Sequence, residues 1–342
     1  MTGIAVGIHG ATGSQVGEVS RLEPYRTELT GYCYRVLGSG FEAEDAVQET
    51  FLRAWRSFDR YDERRASLRT WLYSIATNVC LDMLRSTQRR ALAVDLGPAA
   101  EAGADIGRPL PERVWVQPVP DSLVLPAEGD PEGDPEGAAV RRETIRLAFV
   151  AALQHLPPRQ RVVLILRDVL AFRAEEVAHL LETTVASVNS ALQRARARLR
   201  TTGVTPGEPS RPSDPAQREL LTRYCTAFER HDVAALVALL HEDATMSMPP
   251  FGWWLRGRDR IRQALLDPGA SCAGARLVPV AACGSPAFWQ LRPGPDGPCT
   301  PFGLVLLDIS EGLITGITTH LDADRLIPLF GPPDAPAAGA LT

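Results

Sequence analysis

From Leu153 to Arg200 the chain reads LQHLPPRQRVVLILRDVLAFRAEEVAHLLETTVASVNSALQRARARLR. No other stretch constrains the fold as tightly. An apolar helical run is followed by a short helix from Ala174 to Leu181, a polar break at Glu182-Thr183-Thr184, and a second helix that ends in arginines. Two short helices about a three-residue turn form the layout of a helix-turn-helix, which sets one helix into the major groove of DNA. Glu175 and Glu176 open the first helix, where carboxylates complement the dipole. Val177, Leu180, Leu181, Val185, Val188 and Leu192 supply an apolar seam, and Ala178 sits where the two helices approach. Asn189, Ser190, Gln193 and Arg194, with Ser187 a turn earlier, then project outward; Asn and Gln suit adenine and Arg suits guanine. Arg196, Arg198 and Arg200 suit phosphates. The plain alternative is an amphipathic hairpin with a solvated basic face.

Charge distribution favours the DNA reading. The 342-residue chain carries a net charge of -5 and no lysine. Residues 139–201 nevertheless hold eleven Arg against five acids, and residues 91–138 hold two Arg against ten acids. The positive charge sits where an anionic partner needs it. The arginine monopoly extends over every segment, so it marks no site.

Helical periodicity also runs through residues 20–90. Leu29, Tyr32, Cys33, Val36 and Leu37 share one face; Ala46, Val47, Phe51, Leu52, Ala54 and Trp55 share a second; Trp71, Leu72, Ile75, Ala76, Val79 and Leu84 share a third. A small helical bundle is expected. Residues 91–138, rich in Pro, Gly and acid, cannot bury enough apolar surface to order alone and read as a solvated tether rather than a shield for a basic face. A second linker covers 203–215. Residues 216–331 switch to helices at 217–230, 233–240 and 258–266, then strand-like runs at 277–282, 287–291, 303–309 and 313–320. That order suggests an α+β domain with one curved antiparallel sheet. Residues 1–19 and 332–342 read as disordered tails. The chain has no apolar run long enough for a membrane span, no signal-peptide pattern and no C-x-x-C pair among its six cysteines, so a cytoplasmic protein with reduced thiols is expected.

Two further motifs stand in the first bundle: Asp45-Ala46-Val47-Gln48-Glu49-Thr50-Phe51-Leu52-Arg53-Ala54-Trp55, and Leu68-Arg69-Thr70-Trp71-Leu72-Tyr73-Ser74-Ile75-Ala76-Thr77-Asn78 continuing to Asp82-Met83-Leu84-Arg85. With the helix-turn-helix, these resemble bacterial RNA polymerase sigma factors of the extracytoplasmic-function group. The resemblance implies two all-α domains, region 2 (20–90) and region 4 (139–202), joined by the flexible acidic linker 91–138. It implies core RNA polymerase and promoter DNA as partners, with an anti-sigma factor as a further one, and no cofactor. Asp45, Gln48, Glu49 and Arg53 would contact the polymerase. Trp71, Tyr73, Asn78, Arg85, Arg89 and Arg90 would serve the -10 element, whose melted bases need stacking and polar capture. Ser187, Asn189, Ser190, Gln193, Arg194 and Arg196 would serve the -35 element. Two departures are visible: Glu182 stands where a turn glycine is common, and Asn189 and Ala191 stand where the family is often basic.

Residues 216–331 resemble the SnoaL-like cone fold, on His231-Asp232 before Val233, His241-Glu242-Asp243-Ala244-Thr245, and Gly257-Arg258-Asp259-Arg260-Ile261. That fold encloses an apolar pocket, so a small ligand at this domain is a further expectation; Asp243, Trp253, Trp254, His320 and Asp322 are candidate lining residues. No clear acid-base pair stands out, so a regulatory clamp is favoured over an isomerase-type enzyme, and no catalysis is expected. A conventional repressor would leave the two bundle motifs without a role.

Overall fold

The structure is a computed structural model and describes residues 20–85, 89–101, 103–126, 135–201, 214–267, 272–294 and 298–333. The expected N-terminal tail, residues 334–342 of the expected C-terminal tail, residues 127–134 of the first linker and most of the second linker lie outside the described residues.

The N-terminal bundle is α1 (Arg26–Leu37), α2 (Gly40–Arg56) and α3 (Leu68–Leu84). Its ends follow from local chemistry. Gly38 takes a left-handed φ of 76° and closes α1. Ser39 caps α2 by accepting from the Glu42 amide, and Ser67 caps α3 by accepting from the Thr70 amide. Short helices α4 (Ala93–Leu96) and α5 (Asp121–Val124) follow. The second helical unit is α6 (Pro135–Glu143), α7 (Leu147–Gln154), α8 (Pro158–Leu164), α9 (Ala174–Leu180) and α10 (Val185–Thr201), with a π-type turn at Ile165–Val169.

The C-terminal domain begins with α11 (Pro215–Glu229) and α12 (Val233–Ala238). Next come β1 (Leu240–Ser247), β2 (Trp254–Arg256) and α13 (Arg258–Leu265), then β3 (Arg276–Ala282), β4 (Ser285–Arg292), β5 (Thr300–Ser310), β6 (Leu313–His320) and α14 (Ala323–Phe330). The six strands form one sheet in the order β2-β1-β6-β5-β4-β3. The sheet is not wholly antiparallel as expected from sequence: β1 runs parallel to β6. The helix expected to reach residue 240 stops at Ala238, and β1, in which only Leu240 and Ala244 are buried, carries too little alternation to read as a strand.

The sheet is buried on both faces. Along β4 and β5 successive side chains go to different cores. Phe288, Val305 and Leu307 join α11 and α12 on the concave side. Ala287, Trp289, Leu304 and Leu306 join the core of the two helical units on the other. Helix α14 lies on that second face, with Phe330 edge-on to Trp289 at 6.0 Å. A Cβ at Gly40, the first residue of α2, would stand 2.7 Å from Leu329 Cδ2.

Residues 91–101 and 103–126 do not form a solvated tether. Trp115, Val116, Val119 and Val124 are buried, and the segment runs as a strap between bundle and sheet. Its scattered apolar residues cannot make a core of their own, so they complete the cores of their neighbours. Its acids take basic partners across the strap: Asp121 with Arg142, Glu112 with Arg325, Glu101 with Arg260, and Asp95 with His155.

Everything converges on the β3–β4 turn. Cys283 (φ 54°) and Gly284 (φ 61°) form a two-residue hairpin loop of the primed kind. The Cys283 amide donates to the Val119 carbonyl and the Val119 amide donates to Cys283 Sγ, Tyr34 of α1 donates to the Gln117 carbonyl, and the Gly284 amide donates to Asp121 Oδ1 at 2.7 Å. A Cβ at Gly284 would meet the Arg142 carbonyl at 2.5 Å. Gly284→Val is therefore expected to lower stability by at least about 2 kcal/mol, since clash adds to left-handed strain. Gly312→Ala, also left-handed (φ 75°) but with open space around it, should cost only about 1 kcal/mol. Chemical denaturation of both variants checks the ranking; equal losses would contradict the docked turn.

Candidate nucleic-acid interface and C-terminal cavity

The helix-turn-helix is built as its sequence implies. Val188, Leu192 and Ala195 face inward at helical spacing, and Val177, Ala178 and Leu180 meet them from α9. Glu182 adopts φ 50°, the left-handed turn conformation for which glycine is the usual residue, and the Thr183 amide donates back to the Ala178 carbonyl at 2.8 Å. Ser187, Asn189, Gln193, Arg194 and Arg196 are exposed on α10, and Ser190 is half-buried. Arg194 donates to Ser190 Oγ. Arg196 makes a two-pronged ion pair with Asp168 at 2.7 and 2.8 Å, a fork that sequence reasoning missed because the partner sits 28 residues away.

In the bundle, Asp45, Gln48 and Arg53 are exposed and Glu49 is half-buried; Glu49 and Arg53 pair at 2.7 Å. Leu52 and Trp55, expected on the inward face, are 39% and 38% exposed beside them. The buried stripe of α2 is narrower than its sequence suggests, namely Ala43, Ala46, Val47, Thr50 and Ala54. Leu52 and Trp55 thus stand as an exposed apolar pair beside Asp45 and Glu49, and exposed aromatic side chains are what protein interfaces favour. The sequence pattern puts the charged residues of this helix at the polymerase but turns Leu52 and Trp55 inward, because hydrophobicity alone does not tell core from interface.

On α3, Asn78 is exposed and Trp71 is half-buried against Tyr61 and Phe58, and Arg85 is exposed at the helix C-cap. Tyr73 is fully buried between Tyr32 and Phe172, so its ring cannot reach a base in this arrangement. Arg90 is also buried: it donates to the Trp115 carbonyl and pairs with Glu42 at 2.6 Å, fastening the strap rather than meeting phosphate. Arg89 is exposed and contacts His155.

The helical units lie directly against each other. Thr70, Trp71 and Ser74 of α3 and Ala178, His179 and Thr183 of the helix-turn-helix line one cleft. Arg69 stacks over Phe172 at 4.5 Å. Two buried arginines cross the junction, held by neutral acceptors. Arg35 donates to Thr144 Oγ1 and the Arg141 carbonyl, and Arg161 donates to the Val36 carbonyl and Gln154. Burial pushes both down to about 10.

The C-terminal domain encloses a cavity of about 470 Å³ between α11–α13 and the concave sheet face. Of the expected lining residues only Trp253 lines it. Trp254 instead donates its indole N–H to the Gly97 carbonyl of the strap. Asp243 is exposed and paired with Arg256 at 3.5 Å, and Asp322 stands at the start of α14. His320 is buried beside the cavity with Nε2 unpartnered, and burial pushes it down to about 4.

A Sigma-70 region 2 model matches residues 22–90, a Sigma-70 region 4 model matches 146–199 and a SnoaL-like domain model matches 221–315. The chain is 42% identical over 319 residues to the ECF RNA polymerase sigma factor SigG of Mycobacterium tuberculosis, covering 92% of this chain and 83% of that one. It belongs to the extracytoplasmic-function sigma factors. SigJ of the same organism is 30% identical over 290 residues, covering 82% of this sigma factor and 83% of SigJ. The crystal structure of SigJ superposes with a TM-score of 0.59 at 26% identity, covering 90% of this chain and 98% of that one. The region 2 match spans α1–α3 and the region 4 match spans α7–α10, so the sigma factor has both modules in the expected order. No helix among its described residues is long and apolar enough to cross a membrane.

His320 yields a pH dependence. Its folded value lies below the unfolded one of about 6.5, so the unfolded chain binds the extra proton between them. Stability from this site is complete above about pH 6.5 and is lost progressively toward pH 4, by on the order of 3 kcal/mol. Urea midpoints at pH 7 and pH 5 should differ in the native chain and lose that part of the difference in His320→Leu. An identical pH slope in both would refute the assignment.

Proposed function

We propose that this sigma factor rests in the closed arrangement and opens on core polymerase. Helix α2 docks on the enzyme through Asp45, Gln48, Glu49 and Arg53 around Leu52 and Trp55. Helix α10 then reads the -35 element with Ser187, Asn189, Ser190, Gln193 and Arg194, and α3 captures the melted -10 strand with Trp71 and Asn78, with Arg85 and Arg89 on phosphates. Arg196 joins α10's phosphate contacts once it leaves Asp168, and Tyr73 and Arg90 take part only if opening frees them. The SnoaL-like domain acts as an intramolecular hold on the closed state.

One observation carries this reading: α3 and the helix-turn-helix share a cleft, with Trp71 and Ser74 facing His179 and Thr183. Elements centred about twenty-five base pairs apart are separated by roughly 80 Å of B-form DNA. Modules in side-chain contact cannot span that distance, so initiation requires them to part. Asn78 lies one and two turns along the same stripe from Ser74 and Trp71, next to the covered surface. The hold is supported by Arg146 of region 4, which pairs with Asp308 of β5 at 3.2 Å, and by the docked Cys283-Gly284 turn.

Arg194→Ala should weaken -35-dependent transcription in vitro by roughly 1–3 kcal/mol of recognition and flatten discrimination between native and scrambled -35 sequences. Undiminished discrimination would count against the α10 assignment. Gly284→Val should raise run-off transcription at limiting core enzyme by loosening the hold; output equal to the native chain would count against it.

A further inference from the structure

We propose that the cavity of the SnoaL-like domain binds an amphipathic carboxylate and that the strap joining region 2 to region 4 is its lid. At about 470 Å³ the cavity falls in the size range of small-molecule sites. Its walls are mostly apolar, with Phe228, Met246, Trp253 and Ile317 prominent. Arg292 also lines it, stacked over Phe302 at 3.3 Å. Its side chain is half-buried, its Nε is buried without a hydrogen-bond partner, and among the described residues it forms no ion pair. Asp267 lines the cavity too, but it is exposed and has an interaction of its own. An anionic group on an apolar body would satisfy that buried Nε and pair with the guanidinium while its body fills the apolar walls. Buried Gln290 and Thr319 add neutral polar groups beside it.

The remaining wall belongs to the strap. Gly103, Ala104 and Ile106 line the cavity, with Gly103 and Gly107 in left-handed conformation shaping the loop. Both flanks are fastened to the domain. The Ala100 amide donates to the Trp254 carbonyl at 2.7 Å, and the Leu110 amide donates to the Pro250 carbonyl at 2.7 Å. Because the cavity exists with the lid in place, a ligand that fills it touches the strap and favours the lid-down state. Drawing region 2 and region 4 apart pulls on the same strap, so the ligand opposes initiation. Only this sign rests on the closed resting state proposed above; binding and lid ordering are measured without polymerase.

The test uses the full chain, with palmitate and cholate as probes and hexadecanol as an uncharged control. At least one acid should displace 8-anilinonaphthalene-1-sulfonate saturably, and Arg292→Gln should weaken that acid by roughly tenfold while leaving hexadecanol unchanged. Amide hydrogen exchange of residues 103–112 should slow on binding, and Ile106→Ser should reduce that protection. Failure of both acids to bind, or an Arg292→Gln affinity equal to the native one, overturns the site. Binding that leaves exchange of residues 103–112 unaltered overturns the lid.

Discussion

A two-residue turn, Cys283-Gly284, sits where region 2, region 4, the strap and the sheet meet. Its backbone and thiol are matched by Val119, and its glycine amide is held by the Asp121 carboxylate, which also faces Arg142. The absent side chain of Gly284 leaves room for the Arg142 carbonyl, so region 4 approaches the sheet more closely than any other residue would allow. The turn needs two left-handed residues, and cysteine is not a usual choice there. The strain is held in place by the full burial of Cys283 and by the Asp121 hold on the Gly284 amide, a pattern found where structure and function share a position. Each buried group here contacts two or three modules, so the closed state is cooperative: loosening one contact weakens its neighbours.

The same logic extends to the sheet. A cone domain standing alone exposes the outer face of its sheet, and its strands alternate apolar with polar. In β4 and β5 both faces are apolar, and the second face is covered by α14 and the helical units. The runs Ala287–Leu291 and Gly303–Ile309 thus carry, in sequence, the statement that this domain is docked. They read as strands from sequence; their two-sidedness is the sign that a partner covers the outer face.

Much of the architecture was legible because helical periodicity, caps and the helix-turn-helix spacing are local. The left-handed turn at Glu182 was visible as a residue out of keeping with its place, and the structure shows the backbone conformation that glycine would favour. What was not legible depends on long-range pairing. The Arg196–Asp168 fork, the burial of Arg90 under Trp115 and the path of the strap join residues far apart in sequence. Composition marked residues 91–138 as a tether because a segment poor in apolar residues cannot fold alone; it does not say whether such a segment folds onto something else. Leu52 and Trp55 were placed inward because an interface and a core look alike in hydrophobicity.

The closed resting state is tested most directly by distance. Spin labels introduced as unnatural amino acids at Glu63, between α2 and α3, and at Glu175 of α9, both exposed and outside the proposed DNA contacts, leave the native cysteines untouched. Pulsed dipolar spectroscopy on the free chain should give one narrow short-distance population. Adding core polymerase and promoter DNA should replace it with a population near the roughly 80 Å that separates the two promoter elements. A broad, long distribution in the free chain, or a short distance that persists in an initiating complex, would contradict the account.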